Sequence, residues 1–231
     1  MERTAPAGAV FVARLGRRIA TLFALKMFST IGAVALFFYA YFWVMRHPLS
    51  AMTVMPLTWI DDWIGFIPAA FPLYASLWLY IALGTALARD VAELAAYGAA
   101  ALAMSAVGLA LFMLWPTKVP DFGIDWSLHP AMAFMKSVDV TGNACPSLHA
   151  AFCVFTAAVL HGQLKSLGAA RWLPAGNLLW GLGILVSTVA TRQHVALDAI
   201  AGAALGGATA AAYLRAMNRK AEIATAKGRE P

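Results

Sequence analysis

Charge is scarce in this sequence. Only 12% of its 231 residues are Asp, Glu, Lys or Arg, and 61% are hydrophobic. A soluble domain carries about 25% charged residues, so most of this surface does not face water and an ordinary soluble globule is excluded. Cysteine is scarcer still. Cys145 and Cys153 are the two present, and a pair at that spacing builds neither a disulfide framework nor a Cys/His zinc site. Both read as small buried residues. No internal repeat or low-complexity tract interrupts the chain. A secretory leader is not expected either, because the basic start is long and the first apolar run continues well past the usual leader length.

What is present is a series of apolar runs. A transmembrane helix needs about 20 mainly apolar residues, and six runs qualify, near 27–45, 66–88, 92–115, 147–164, 173–190 and 195–216. They use nearly the whole chain, which predicts an all-α polytopic membrane bundle and a single membrane domain over 1–231. Two connections are long, about 46–65 and 116–146, and the rest are short. The net charge of +6 would raise nucleic acid as a partner in a soluble protein. Here the cations flank apolar runs, and membrane topology explains them better.

Sorting the cations by side shows an asymmetry. Arg3, Arg14, Arg17, Arg18, Lys26, Arg89, Lys165, Arg171, Arg215, Arg219, Lys220, Lys227 and Arg229 fall on one side, and Arg46, Lys118, Lys136 and Arg192 on the other. The positive-inside rule makes the richer side cytoplasmic. This predicts a multi-pass protein of the inner (plasma) membrane with both ends inside and both long loops outside. It also leaves Lys118 and Arg192 on the disfavoured side, each at the mouth of a helix.

Two segments carry the chemistry, and both fall at the outer face. The first is Asn143-Ala144-Cys145-Pro146-Ser147-Leu148-His149, a proline-led helix start. Ser147 and free N–H groups at such a start bind phosphate, and His149 beside them is placed to protonate a leaving oxygen. Plain capping by Ser147 is the competing reading. The second is Thr191-Arg192-Gln193-His194-Val195-Ala196-Leu197-Asp198. Here His194 and Asp198 are i and i+4 and would share one helix face. An aspartate on one imidazole nitrogen fixes the tautomer and leaves the other as nucleophile or base. A carboxylate inside a membrane span points to function by default, with a structural His–Asp lock as the alternative. Gly202 and Gly206, four apart, mark a close helix contact.

These two segments resemble the type 2 phosphatidic acid phosphatase superfamily, which also includes vanadium-dependent haloperoxidases. Its second motif, Pro-Ser-Gly-His, matches Pro146-Ser147-Leu148-His149, with Leu148 in place of glycine. That variant is similar to the branch of inositol phosphorylceramide synthases, the aureobasidin-resistance family. The third motif, Ser-Arg, five residues, His, three residues, Asp, matches Ser187, Thr188, His194 and Asp198, with Thr188 where the family has arginine. The first motif, Lys, six residues, Arg-Pro, is absent in that form. Lys118, within Pro116-Thr117-Lys118-Val119-Pro120, is the candidate remnant. The resemblance covers roughly 110–205.

The resemblance implies a phosphatidic acid phosphatase/haloperoxidase-like helical core and metal-free, cofactor-free phosphoryl transfer. It implies that His194 attacks phosphorus to form a phosphohistidine, Asp198 orients it, and His149 protonates the leaving group. Ser147 would hold phosphate oxygens, with Lys118 and Arg192 as candidate cations. The expected substrate is a lipid phosphate, hydrolysed by water or passed to an alcohol as in the synthase branch. Two other classes stand beside this one. Asp121, Asp125 and His129 would bind a metal if helical, although Pro120 and Gly123 favour a loop. A transporter or structural membrane protein would favour polar groups at mid-membrane and pseudo-symmetric halves. The discriminating geometry is convergence of the Nε2 atoms of His149 and His194. Trp59, Trp63, Trp115, Trp126 and Trp172 read as interface anchors. His47, His129 and His161 read as bland interfacial residues.

Overall fold

The computed structural model describes residues 7–138 and 141–227. Arg3, Asp139 and Arg229 lie outside the described residues. The chain is a helical bundle. Helix α1 (Ala7–Ala20) precedes α2 (Phe23–Arg46), which stops before His47-Pro48. A short α3 (Trp59–Ile64) leads to α4 (Phe71–Ala75) and α5 (Leu77–Ala86). With the turn at Pro68–Ala70, α4 and α5 make one 19-residue apolar stretch broken at Ser76. There the Ser76 hydroxyl donates to the Leu73 carbonyl (2.6 Å) and accepts from the Trp180 indole N–H (2.9 Å), competing with the helical ladder. Helix α6 (Val91–Leu114) starts at Asp90, whose side chain caps the Glu93 N–H at 2.8 Å, and ends before Pro116. Short α7 (Pro130–Val138) is followed by α8 (Leu148–Ser166), α9 (Trp172–Ala190) and α10 (Ala196–Lys227).

Among the described residues, five helices are long and apolar enough to cross a membrane: Phe23–Arg46, Pro68–Ala86, Val91–Leu114, Trp172–Ala190 and Ala196–Lys220. The lipid-facing surface explains their composition. Ile31, Leu36, Leu79, Leu179, Leu182 and Ile200 are each exposed over more than half of their surface, an apolar coat that water would penalise. The expected fourth span, α8, is not among the five. It has 19 residues, about 28 Å of helix, but it carries His149, His161, Gln163 and Lys165. Such polarity is tolerable because α8 is the hub of the bundle, packed against α5, α6, α9 and α10. Two of its polar side chains find protein partners: Thr156 meets the Tyr97 hydroxyl at 3.1 Å, and Gln163 donates to the Gly84 carbonyl at 3.1 Å.

The closest approach in the bundle is that of α10 to α8. A Cβ on Gly202 would overlap the Ser147 carbonyl oxygen, and one on Gly206 the Ala151 carbonyl oxygen. The two glycines thus bring the start of α10 against the start of α8. The long connections are not independent loops. Strand β1 (Thr53–Val54) pairs in parallel with β2 (Thr117–Lys118), and Thr117 bridges to Asn143. Two long extended segments running side by side at one end of the bundle satisfy each other's backbone groups. The Asn143 amide donates to the Tyr41 hydroxyl, tying this layer to α2.

Candidate active site

The candidate residues meet at the end of the bundle covered by that small sheet. The Cys145–Pro146 peptide is cis, and Pro146 stands before the cap rather than inside the first turn. Ser147 is the N-cap of α8. Its Oγ accepts the Ala150 N–H at 3.2 Å, and its own N–H donates to the Asp198 carbonyl at 2.9 Å. The Ser147 N–H is therefore not among the free N–H groups expected to bind phosphate at this helix start. Ser147 is fully buried and stitches α8 to α10, leaving its hydroxyl hydrogen as the group available to a ligand.

His194 is also placed differently from the expectation. It lies in the turn before α10, not on the helix. The turn is shaped by Arg192, a non-glycine residue in the left-handed region at φ 53°, a conformation that persists where its surroundings hold it. The holds are visible. The Arg192 N–H donates to the Val189 carbonyl (2.9 Å), the His194 N–H to the Thr188 carbonyl (3.1 Å), and the Ala196 N–H to Asp61 Oδ1 (2.8 Å). Despite the turn, the expected pairing forms: His194 Nδ1 lies 3.3 Å from Asp198 Oδ2, with Asp198 fully buried.

The two imidazoles are neighbours, with ring centroids 5.7 Å apart and planes inclined by 54°. His149 Nε2 does not face open space. It meets the Tyr74 hydroxyl at 2.9 Å, and the two rings stack at 4.7 Å. Tyr74, on α4, escaped the sequence reading because nothing in Phe71-Pro72-Leu73-Tyr74 distinguishes it from any apolar helix. Asp61 escaped likewise. Its Oδ2 accepts from the Thr58 N–H and hydroxyl, both at 2.8 Å, while Oδ1 caps α10. The Thr58-x-x-Asp61 spacing signals a capping box, but only the fold reveals its second client.

The remaining candidates divide. The Arg192 guanidinium lies 4.6 Å over the Phe122 ring, and its buried Nη1 has no hydrogen-bond partner among the described residues; the same holds for Gln193 Nε2 and Asp198 Oδ1. Buried donors normally find partners, so unpaired donors flanking His194 suit an incoming anion. Gln193 was not singled out from sequence. Lys118 is exposed on β2, and no hydrogen bond or ion pair among the described residues joins it to the histidines. Ser187 and Thr188 spend their hydroxyls on the Ile184 and Leu185 carbonyls of their own helix. Thr188 therefore does not substitute for an arginine. Cys145 sits beside the site, but burial raises its thiol pKa and the Asp198 charge adds to the effect, which disfavours a thiolate nucleophile. Asp121 and Asp125 are used in turns, accepting from the Gly123 and Ser127 N–H groups. No cluster of metal-ligating residues occurs among the described residues.

An apolar cavity of about 580 Å³ runs between α2, α5, α6 and α8. His149 and Trp78 line one end, Leu25 and Thr85 the other, with Phe37 and Leu102 between. Trp78 and Leu102 are more than two-fifths exposed, so the cavity opens sideways rather than toward either end of the bundle. His194 is not on its wall.

Residues 90–222, more than half of the chain, match the family model described as the PAP2 superfamily. The match contains α6, α8 and α9, and with them both histidines and Asp198. No curated protein and no solved structure matches the chain.

Proposed function

We infer the activity from the premise that this chain belongs to the PAP2 superfamily, whose members are phosphatases and phosphotransferases. Within that class the reading is hydrolysis of a lipid phosphate ester. The observation that carries it is the pair of adjacent imidazoles, one backed by a buried carboxylate and the other at the end of an apolar cavity. The carboxylate supports a nucleophilic His194, since it holds Nδ1–H and leaves the other nitrogen basic. The cavity supports a lipid, since an aliphatic chain lying in it would bring a phosphate headgroup to His149.

The His194 nitrogen remote from Asp198 attacks phosphorus. An N–P bond forms, the P–O ester bond breaks, and His149 gives its proton to the departing alkoxide. Water then returns a proton to His149, its oxygen attacks phosphorus, the N–P bond breaks and phosphate leaves. Ser147, Arg192 and Gln193 supply donors to the phosphoryl oxygens, and Lys118 a more distant positive charge. Tyr74 belongs to the proton path through its bond to His149.

The phosphotransferase alternative rested on Leu148. That side chain is buried in the core and fills the notch at Gly108, where a Cβ would approach it to 2.6 Å. Packing accounts for the leucine without any reference to an alcohol acceptor. By the asymmetry of the cations, the site faces outward from an inner membrane.

The test is phosphate release from a panel of lipid phosphates, comparing wild type with His194→Ala. Release that falls by about a thousandfold or more in the variant is expected. Equal release from both would overturn the nucleophile. Turnover that requires an added alcohol would replace hydrolysis with transfer.

A further inference from the structure

The opposite end of the bundle has a concavity of its own. Arg14, Arg17, Arg18, Thr21, Arg89 and Ser166 line a cavity of about 300 Å³. They come from α1 and the turn after it, the connection between α5 and α6, and the last turn of α8. His149 opens α8 and Ser166 closes it, so this cavity lies about 26 Å from the histidines.

The cavity is held in shape by specific bonds. Arg18 donates to the Leu87 carbonyl and the Ser166 hydroxyl, both at 3.0 Å. Leu15 packs into the apolar cluster of Leu87 and Leu160. Lys26, buried beneath, donates to the Arg18 and Ala86 carbonyls at 2.6 and 2.9 Å. Five cations thus converge, and among the described residues Asp90 and Glu93 stand against them. Both acids are already engaged. Glu93 Oε2 takes the Arg89 N–H and Nε–H at 2.8 Å each, its Oε1 takes Gln163 at 3.3 Å, and Asp90 caps α6. No acid among the described residues pairs with the Arg14 or Arg17 guanidinium. Burial holds the Arg18 pKa below its ordinary value, and the Arg89 charge pushes the same way against Glu93.

Helix α1 carries this charge at a membrane interface. It leads directly into the apolar α2, and its own Val12 and Ile19 are exposed beside the face that packs on the bundle, the pattern of a helix lying in the headgroup layer. Positive-inside sorting explains which face the arginines occupy. It does not explain why arginines from separate parts of the chain close around one cavity in which no acid among the described residues pairs with Arg14 or Arg17.

We propose that this cavity is a second anion site, distinct from the catalytic one, that binds the phosphate of an anionic phospholipid from the adjacent leaflet through Arg14 and Arg17, with Arg18 and Arg89 as its walls. The guanidinium forks suit phosphate oxygens, and the unneutralised charge gives the site its selectivity against zwitterionic lipid. The site makes no use of His194, so it stands or falls apart from the proposed activity.

The test uses the full chain carrying His194→Ala, to prevent turnover, with and without Arg14→Gln/Arg17→Gln. Short-chain phosphatidylglycerol, short-chain phosphatidylcholine and inorganic phosphate are each titrated into detergent-solubilised protein, and bound lipid is counted by native mass spectrometry. Phosphatidylglycerol should bind about thirtyfold more weakly to the double variant, at about 1 kcal/mol per interfacial cation. Phosphatidylcholine should bind both proteins alike. An unchanged melting temperature without lipid shows that the variant folds; if it falls, Arg17→Lys, which keeps the charge but loses the fork, replaces it and should weaken binding to a lesser degree. Equal phosphatidylglycerol binding to protein with and without the arginine substitutions would overturn the site. Saturation by inorganic phosphate at concentrations where phosphatidylglycerol does not compete would overturn the lipid as its ligand.

Discussion

The two ends of this bundle handle polar groups in opposite ways. At the histidine end they are buried and most are individually bonded, with Arg192 Nη1, Gln193 Nε2 and Asp198 Oδ1 left without a partner among the described residues. Asp61, Ser147 and Asp198 are fully buried, and Ser147 and Asp198 tie α8 to α10 by a backbone hydrogen bond while Asp61 caps α10 from the neighbouring loop. At the arginine end Arg14 and Arg17 are exposed, and no acid among the described residues pairs with them. Burial with bonding fixes position to a fraction of an ångström, which a reaction coordinate requires. Exposed charge fixes little position but attracts anions over a Debye length. On the proposed reading the first end reacts and the second attracts.

That contrast can be broken from either side. The largest effect is expected from Asp198→Asn, which keeps the shape and loses the charge that sets the His194 tautomer. Turnover should fall by about a thousandfold or more with the fold intact, measured as phosphate release beside a melting curve. Gly202→Ala comes next. The new methyl meets the Ser147 carbonyl and should cost about 1–3 kcal/mol and separate the histidines. Gly207→Ala, whose Cβ would meet nothing within 4 Å, is the control and should be neutral or slightly stabilising. Asp61→Asn loses acceptor capacity toward Thr58 and Ala196, and a loss of about 1–3 kcal/mol in thermal stability is expected. Tyr74→Phe keeps the stack on His149 and removes its hydroxyl partner. A roughly tenfold fall in kcat with a displaced pH–rate profile is expected, whereas a purely structural Tyr74 would leave the profile in place.

The orientation has its own test. Asp61 is buried but Asp62 is exposed, so a cysteine at Asp62 is the informative probe. It should react with an impermeant maleimide added outside the cell, and protection there would invert the proposed topology.

Much of this arrangement was legible in the chain itself. Helices show because lipid-facing residues must be apolar over a whole span, and α8 shows weakly because protein rather than lipid surrounds it. His149, His194 and Asp198 stand out because a histidine or carboxylate is costly in such a segment. The i, i+4 pairing of His194 and Asp198 survives even though His194 precedes the helix, since the turn at Arg192 carries the ring back toward Asp198. Other residues left no trace. Tyr74 is 75 residues from His149, and Asp61 is 135 from Ala196. No local period encodes a contact at that separation.

Composition and spacing alone therefore determined that this chain is a membrane helix bundle and which histidines and aspartate are its reactive candidates, because both follow from the cost of polarity in an apolar stretch. Only the tertiary structure decided that Tyr74 occupies His149, that Asp61 holds the start of α10, that an apolar cavity ends at His149, and that arginines distant in sequence close around one pocket. Each of these depends on which helices pack together, and that is set by side-chain shape, such as the missing Cβ atoms of Gly202 and Gly206, rather than by any pattern along the chain.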